Sequence, residues 1–276
     1  ISDKPGLAPG FAAGFAANLI GSGFLGGLVG GFLAGYIMKW IKANIKGGKT
    51  LAGFFNFFLY PVIGTFVVGT LMLFVVGKPV ALLNTGLTNW LNAMQGTNAI
   101  LLGALIGAMV SFDLGGPVNK AAYAFCLGAM GNGNLIPYAT FASVKMVSAF
   151  TTTLVTKLKP KYFLEEEREL GNSTWILGLA GITEGAIPVA LNDPFRVLGS
   201  FVAGSMVTGA IVAYFKLGLG VPGAGILSML FMNWNGAESS LMGGIVWFAA
   251  ALVGTVISTI LLLILKGHKY KKSLGQ

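Results

Sequence analysis

Apolar runs long enough to cross a bilayer, with lysines gathered at their ends, govern what this chain can fold into. A helical crossing needs roughly 20 apolar residues, and five windows reach that length: 9–38, 51–76, 134–156, 196–217 and 240–265. Of the 276 residues, 55% are hydrophobic and 10% charged, against about 25% charged in a soluble domain. Such a surface cannot mostly face water. The expected fold is therefore an all-α polytopic membrane protein. The 42 glycines agree, because membrane helices use small residues to bring backbones together. In the first window Gly23, Gly27, Gly31 and Gly35 recur at four-residue spacing and predict a tight helix contact. Gly21-Ser22-Gly23 marks a point where that window breaks into two pieces.

The formal charge of +9 sits where the positive-inside rule places it, in loops on one side of a membrane. The basic clusters are Lys39, Lys42, Lys46 and Lys49; Lys157, Lys159, Lys161 and Arg168; and Lys266, Lys269, Lys271 and Lys272. The rule puts 39–49, 157–172 and the C-terminus in the cytoplasm. The acids Glu165, Glu166, Glu167 and Glu169 mixed into the second cluster contribute little to it. No aromatic-basic strip of the kind that stacks bases is present, so nucleic acid is not an expected partner. The single cysteine, Cys126, excludes an internal disulfide and argues against a Cys-based metal site; neither metal nor cofactor is expected. The chain starts at Ile1 without a signal-peptide pattern and is expected to be a fragment lacking N-terminal spans.

This orientation constrains the remaining segments. From the first cluster, 51–76 crosses outward and 134–156 returns, so 97–131 makes no net crossing. From the second, 196–217 crosses outward and 240–265 returns, so 173–194 makes none either. Both read as re-entrant hairpins, which survive at membrane depth only when buried in protein or lining a wet cavity. Residues 218–236 form a candidate third element, and 79–96 fits an interfacial helix better than a span.

Ionisable residues inside a membrane cost roughly 2.5–3.5 kcal/mol each on insertion scales and point to function. One group is Ser111-Phe112-Asp113-Leu114-Gly115-Gly116-Pro117-Val118-Asn119-Lys120; the other runs from Gly181-Ile182-Thr183-Glu184-Gly185 to Asn192-Asp193-Pro194-Phe195-Arg196. Gly and Pro break the helix in each, and interrupted helices near the midplane are how transporters build binding sites. A sugar hydroxyl needs an acceptor such as Glu184 and donors such as Asn119 or Lys120. Asp113 with Lys120, or Asp193 with Arg196, fits equally a buried pair that closes a hairpin. For Glu184 no basic residue lies within ten positions, which favours a ligand. The match of Gly21-Ser22-Gly23-Phe24-Leu25-Gly26 to a dinucleotide fingerprint lacks its strand and its acidic residue. Gly48-Lys49-Thr50 lacks the first glycine of a phosphate loop, and Asn172-Ser173-Thr174 lies on the side assigned to the cytoplasm.

These residues resemble the fructose-type IIC family of the bacterial phosphotransferase system. The resemblance is carried by Pro5-Gly6-Leu7-Ala8-Pro9-Gly10, by Gly23-Phe24-Leu25-Gly26-Gly27 through Gly31-Phe32-Leu33-Ala34-Gly35-Tyr36, and by Val76-Gly77-Lys78-Pro79-Val80. It continues through Asp113 to Tyr123, then Glu184-Gly185-Ala186-Ile187-Pro188, and Asp193-Pro194 to Arg196-Val197. It covers nearly the whole chain, as one transmembrane IIC domain over 1–276 with 97–131 and 173–194 as its sugar-binding part. The resemblance implies an elevator-type homodimer of the bacterial inner membrane, surrounded by lipid. It implies uptake of a sugar that a cytoplasmic IIB domain, itself charged by IIA, phosphorylates from a phosphocysteine. Cys126 does not match that phosphocysteine. The 181–184 run is also similar to the binding hairpin of the wider glucose-type IIC superfamily, which makes Glu184 the first candidate for sugar contact. That superfamily's site histidine has no counterpart, since His268 is the only histidine. The implied substrate-binding set is Glu184, Asp113, Asn119, Lys120, Thr183, Gly185, Asn192, Asp193 and Arg196. Fructose is the first substrate expectation, and mannosylglycerate or another fructose-family sugar the alternative; an ion-coupled secondary transporter is the rival of another class.

Overall fold

The computed structural model describes residues 6–45, 48–93, 97–223 and 225–273. Pro5, Lys46, the end of the 79–96 segment and Ala224 within 218–236 lie outside the described residues. The chain forms two compact units, 1–93 and 94–276.

In the first unit, α1 (Leu7–Leu19) and α2 (Gly23–Asn44) replace a single 9–38 span. The break is a Schellman-type stop. Gly21 takes φ +69°, and the Ser22 amide and hydroxyl both donate to the Ala17 carbonyl, each at 3.0 Å. Of the expected glycine row, Gly27 and Gly31 face open space. The face one residue earlier makes the contact instead: a Cβ at Gly30 would press on the Ala13 methyl at 2.8 Å. A four-residue repeat drifts slowly around a 3.6-residue helix, so spacing alone does not choose between adjacent glycine faces.

A continuous helical run covers residues 52–93, and Ala52–Gly86, 35 residues, is its candidate membrane-crossing part. It is built from α3 (Ala52–Phe54), a π-turn at Phe55–Leu59, α4 (Tyr60–Leu71), a second π-turn at Met72–Val76 and α5 (Gly77–Ala93). The expected interfacial helix at 79–96 is thus the continuation of the 51–76 helix, not a separate element. Pro79 lies just after the second π-turn inside this run, where the regular helical hydrogen bonds are already displaced. Asn84 of α5 donates to the Gly21 carbonyl at 3.4 Å, which satisfies the α1–α2 break.

The second unit contains α6 (Thr97–Phe112), α7 (Pro117–Gly131), α8 (Ile136–Leu158), α9 (Glu165–Leu179), α10 (Ile187–Asn192), α11 (Pro194–Tyr214) and α12 (Leu241–Ser273). Its spine is α11, which touches α6 and α12 backbone to backbone. A Cβ at Gly103 would strike the Gly209 carbonyl, and one at Gly209 would strike the Gly103 carbonyl. Gly107 meets the Ser205 carbonyl in the same way, and on the other flank Gly204 and Gly254 meet each other's. Ser111 and Ser205 hydroxyls share a hydrogen bond of 2.6 Å along the α6–α11 seam.

Among the described residues, three helices are long and apolar enough to cross a membrane: Ala52–Gly86, Pro194–Tyr214 and Leu241–Tyr270. Helix α8, from the 134–156 window, is not one of them. Thr140, Ser143, Ser148, Thr151, Thr152 and Thr156 lower its hydropathy, and all are buried. It is an interior helix whose hydroxyls turn inward: Ser143 donates to the Trp247 carbonyl at 3.1 Å, and Trp247 Nε1 returns to the Ala139 carbonyl at 2.8 Å.

Two further boundaries differ from expectation. Helix α9 begins at Glu165, so most of the 157–172 loop is helical and the 173–194 segment starts inside a helix. Three glutamates occupy its first turn, where the helix dipole favours them. Residues 218–236 form a small antiparallel pair, β1 (Gly218–Leu219) with β2 (Met232–Asn233), joined through a 3-10 turn at Ile226–Phe231.

Ala at Gly204 is expected to destabilise the protein by ~1–3 kcal/mol, because an added Cβ forces two backbones apart. Ala at Gly199 in the same helix meets nothing within 4 Å and should be neutral or slightly stabilising. Thermal unfolding of both variants in detergent checks the contrast.

Candidate functional site

The two helix interruptions predicted to carry chemistry meet. Helices α6 and α7 form a hairpin whose turn holds Leu114 and Gly115 at positive φ, +49° and +110°. Helix α9 ends at Gly181 (φ +73°), where the Ile182 amide reaches the Leu177 carbonyl at 2.9 Å. The chain then enters a 3-10 turn at Glu184–Ala186 before α10. Gly115 lets the two come together: a Cβ there would lie 2.6 Å from Glu184 Oε1. Beneath them Leu114, Ala186, Val189 and Val197 share a buried cluster with Leu262 of α12.

A cavity of about 340 Å³ opens at this junction. Asn119, Lys120, Thr183 and Glu184 line it, as the sequence predicted they should converge. The Thr183 hydroxyl is 3.3 Å from Glu184 Oε2 and orients that carboxylate. Asn119 Nδ2 donates to the Val110 carbonyl at 2.7 Å, which uses one of its two N–H groups and fixes the amide at the cavity wall.

Sequence reasoning missed the rest of the lining. Lys145 of α8 faces the cavity with its ammonium 5.5 Å from the Phe141 ring centre. Its position midway along an apolar window was the available signal. Tyr123, Tyr138 and Phe141 form an aromatic wall with ring centres 5.3–6.3 Å apart. The Tyr138 hydroxyl donates to the Gly223 carbonyl at 3.1 Å and accepts from its amide at 3.0 Å. That clamp holds Pro222 and Gly223, from the irregular 218–236 segment, against the cavity.

The other expected residues stand elsewhere. Both Asp113 oxygens are taken by backbone amides at the start of α7, Val118 at 2.7 Å and Asn119 at 3.0 Å. Asp113 therefore sets the angle of the hairpin rather than facing the cavity. Gly185 packs under Leu177, whose Cδ1 a Cβ would meet at 2.5 Å. Asn192, Asp193 and Arg196 belong to a separate charged cluster. Arg196 bonds Asp193 at 3.1 Å, Lys269 bonds it at 3.0 Å, and Asn192 donates to Glu167 at 3.2 Å. Burial raises the Asp193 carboxyl, but hydrogen bonds from Lys269 and Arg196 outweigh it and hold its pKa below the ordinary value.

An acceptor carboxylate, two ammonium groups, an amide and an aromatic wall around one cavity suit a polyhydroxylated ligand with a charged substituent. The family described as phosphotransferase system, EIIC, matches residues 3–204. The chain belongs to this EIIC family. It is 63% identical over 233 residues to the PTS system 2-O-alpha-mannosyl-D-glycerate-specific EIIABC component of Escherichia coli (strain K12), covering 84% of this chain and 35% of that protein. It is 46% identical over 258 residues to the PTS system fructose-specific EIIB'BC component of Vibrio cholerae, covering 94% and 43%. The fructose permease IIC component of Bacillus amyloliquefaciens is 35% identical over 218 residues, covering 79% and 68%. The chain thus spans less than half the length of the first two relatives. No solved structure matches it. Membership in a family of membrane permease components agrees with the three long apolar helices of this EIIC chain.

Two tests follow from the geometry. Asp113→Ala, which removes the acceptor at the start of α7 in this EIIC chain, should cost ~1–2 kcal/mol of stability, as loss of a helix-capping acceptor does. Thermal unfolding reads it. Because the folded Asp193 pKa is lowered, its stabilisation is present above the ordinary carboxylate value and is lost as pH falls through the folded one. Unfolding measured from pH 7 downward should show an acid-side loss that Asp193→Asn reduces.

Proposed function

We propose that this chain is the sugar-binding, translocating part of a phosphotransferase permease, and that its ligand is an anionic mannoside of the mannosylglycerate type. The observation that carries this is the charge arrangement in the 340 Å³ cavity, with Lys120 and Lys145 facing a single carboxylate, Glu184. A neutral hexose can use an ammonium as a donor but does not call for two positive charges. A glycerate carboxylate does, because charge-assisted hydrogen bonds contribute about 1.5–3 kcal/mol each. The 63% identity to the mannosylglycerate-specific relative, against 46% to a fructose-specific one, supports the same choice.

In this reading Glu184 accepts hydrogen bonds from sugar hydroxyls, with Thr183 orienting it and Asn119 supplying its amide. Tyr123 and Phe141 offer ring faces to the apolar side of the pyranose. The hairpins 97–131 and 173–194 act as re-entrant elements. They move with the sugar in an elevator-like step past a homodimeric scaffold, toward the side that carries the basic clusters. There a cytoplasmic IIB domain, recharged by IIA, phosphorylates the sugar from its phosphocysteine. Cys126 is fully buried and plays no part in that transfer.

Calorimetric titration of the purified chain tests the site. Glu184→Gln should weaken mannosylglycerate binding by ~10-fold or more without changing the unfolding temperature; a folded variant that binds like wild type removes Glu184 from the site. Lys145→Met should weaken mannosylglycerate but leave methyl α-mannoside, which lacks the carboxylate, nearly unchanged. Equal loss for both ligands would reject the anionic-substrate reading and leave the sugar site standing.

A further inference from the structure

A second cavity, of about 370 Å³, lies where the α8–α9 connection meets the end of α12. Lys161, Lys266 and Lys269 line it together with Tyr162, Phe163, Glu167, Asn192 and Tyr270. Two basic clusters far apart in sequence are here brought to one place.

Lys266 is the unusual member. Its side chain is 7% exposed, yet among the described residues no acceptor lies within hydrogen-bonding distance of its ammonium. The nearest carboxylate oxygen, Glu167 Oε1, is 3.9 Å away. Glu167 is already occupied: Oε1 accepts from Asn192 at 3.2 Å, and Oε2 accepts from the Leu164 amide at 2.8 Å. Among the described residues, its other close neighbour is the Phe163 ring, with its centre 4.6 Å from the nitrogen. A ring face attracts a cation but accepts no conventional hydrogen bond. Lys161, on the rim, is exposed and pairs with no described side chain. Lys269 is the third ammonium and already holds Asp193 at 3.0 Å.

An ammonium with three donors and no acceptor is a costly thing to bury. It is tolerated where an anion completes it. A phosphate offers several acceptor oxygens and a charge that matches the excess of three lysines over one carboxylate in the lining. The Tyr162 and Tyr270 rings, 5.1 Å apart, add an amphipathic edge suited to a glycerol or sugar moiety. We propose that this cavity binds a phosphate-bearing anion, either the headgroup of an anionic phospholipid or a soluble phosphate monoester, with Lys266 as the central contact and Lys161 closing over it. The site is separate from the Glu184 cavity and shares no lining residue with it.

The test uses the purified chain in phosphatidylcholine nanodiscs. Two probes are compared: sn-glycerol 3-phosphate added to the solution, and phosphatidylglycerol included in the disc. The expected result is that one of them raises the unfolding temperature above a matched sodium chloride or phosphatidylcholine control. A response to glycerol 3-phosphate alone assigns a soluble ligand; a response to phosphatidylglycerol assigns a lipid headgroup. Lys266→Met should then reduce the apparent affinity for that probe by ~10-fold, with mannosylglycerate binding at Glu184 unaltered. If Lys266→Met does not fold, Lys161→Ala at the exposed rim must still weaken the probe. No stabilisation by either probe overturns the proposal. So does stabilisation that survives in the variants, since the phosphate would then bind elsewhere.

Discussion

Helix α11 is held by its neighbours through bare backbone, and the rest of the second unit depends on that grip. In lipid the hydrophobic effect does not drive helices together, because the chains around them are as apolar as their side chains. Association has to come from close van der Waals contact, which requires that nothing stand between the helices. Gly103, Gly107 and Gly209 on one flank and Gly204 and Gly254 on the other provide this. With α6 fixed against α11, the α6–α7 turn is fixed too. Because α10 runs directly into α11 at Asp193-Pro194, the Glu184 turn is anchored to the same helix. The cavity is thus framed by two turns that refer back to one helix. That arrangement leaves the turns irregular without leaving them unsupported.

The irregular turns are where the polar chemistry lies, and the backbone there is accounted for group by group. Asp113 takes two amides of α7, Asn119 takes the Val110 carbonyl, and Tyr138 takes both polar groups of Gly223. Unsatisfied peptide groups are expensive away from water, so these side chains are what allow helix interruptions to exist beside a cavity. Their commitment to backbone also leaves Glu184, Lys120 and Lys145 as the charged groups still available to a ligand. Under the proposed function, substrate charge is read by this small set of side chains on three different helices or turns.

Much of this was legible beforehand, for a physical reason. Crossing length, lysines at helix ends and charged residues beside Gly and Pro are local properties, and the 97–131 hairpin and the meeting of Glu184 with Asn119 and Lys120 follow from them. What the sequence left open has the opposite character. The role of Asp113 depends on which amides its oxygens reach, and the spacing to Val118 and Asn119 does not distinguish capping from binding. That the hydroxyls of helix α8, spread through an apolar run, point inward depends on the five helices packed around it. Gly27 and Gly31 looked like a contact face, but the register of α1 on α2 selects Gly26 and Gly30. Lys145 was visible as a charge in an apolar window, and only the fold shows which cavity it faces.

The distinction between structural and functional charge in this molecule comes down to partner saturation. Asp193, Arg196 and Lys269 form a closed set, each within 3.0–3.1 Å of an opposite charge, and Asn192 completes Glu167. Such a set ties α10, α11 and α12 together and has little left to offer a ligand. Glu184 has one hydroxyl neighbour and an open cavity in front of it. Lys266 breaks the pattern from within the structural cluster: it is more deeply buried than Glu184 yet less satisfied than Lys269, because the carboxylate that could complete it caps α9 and binds Asn192 instead. A charge left over in that way is not explained by helix tethering, since Lys269 and Arg196 already provide the tether. What remains to explain it is an acceptor that arrives from outside the chain.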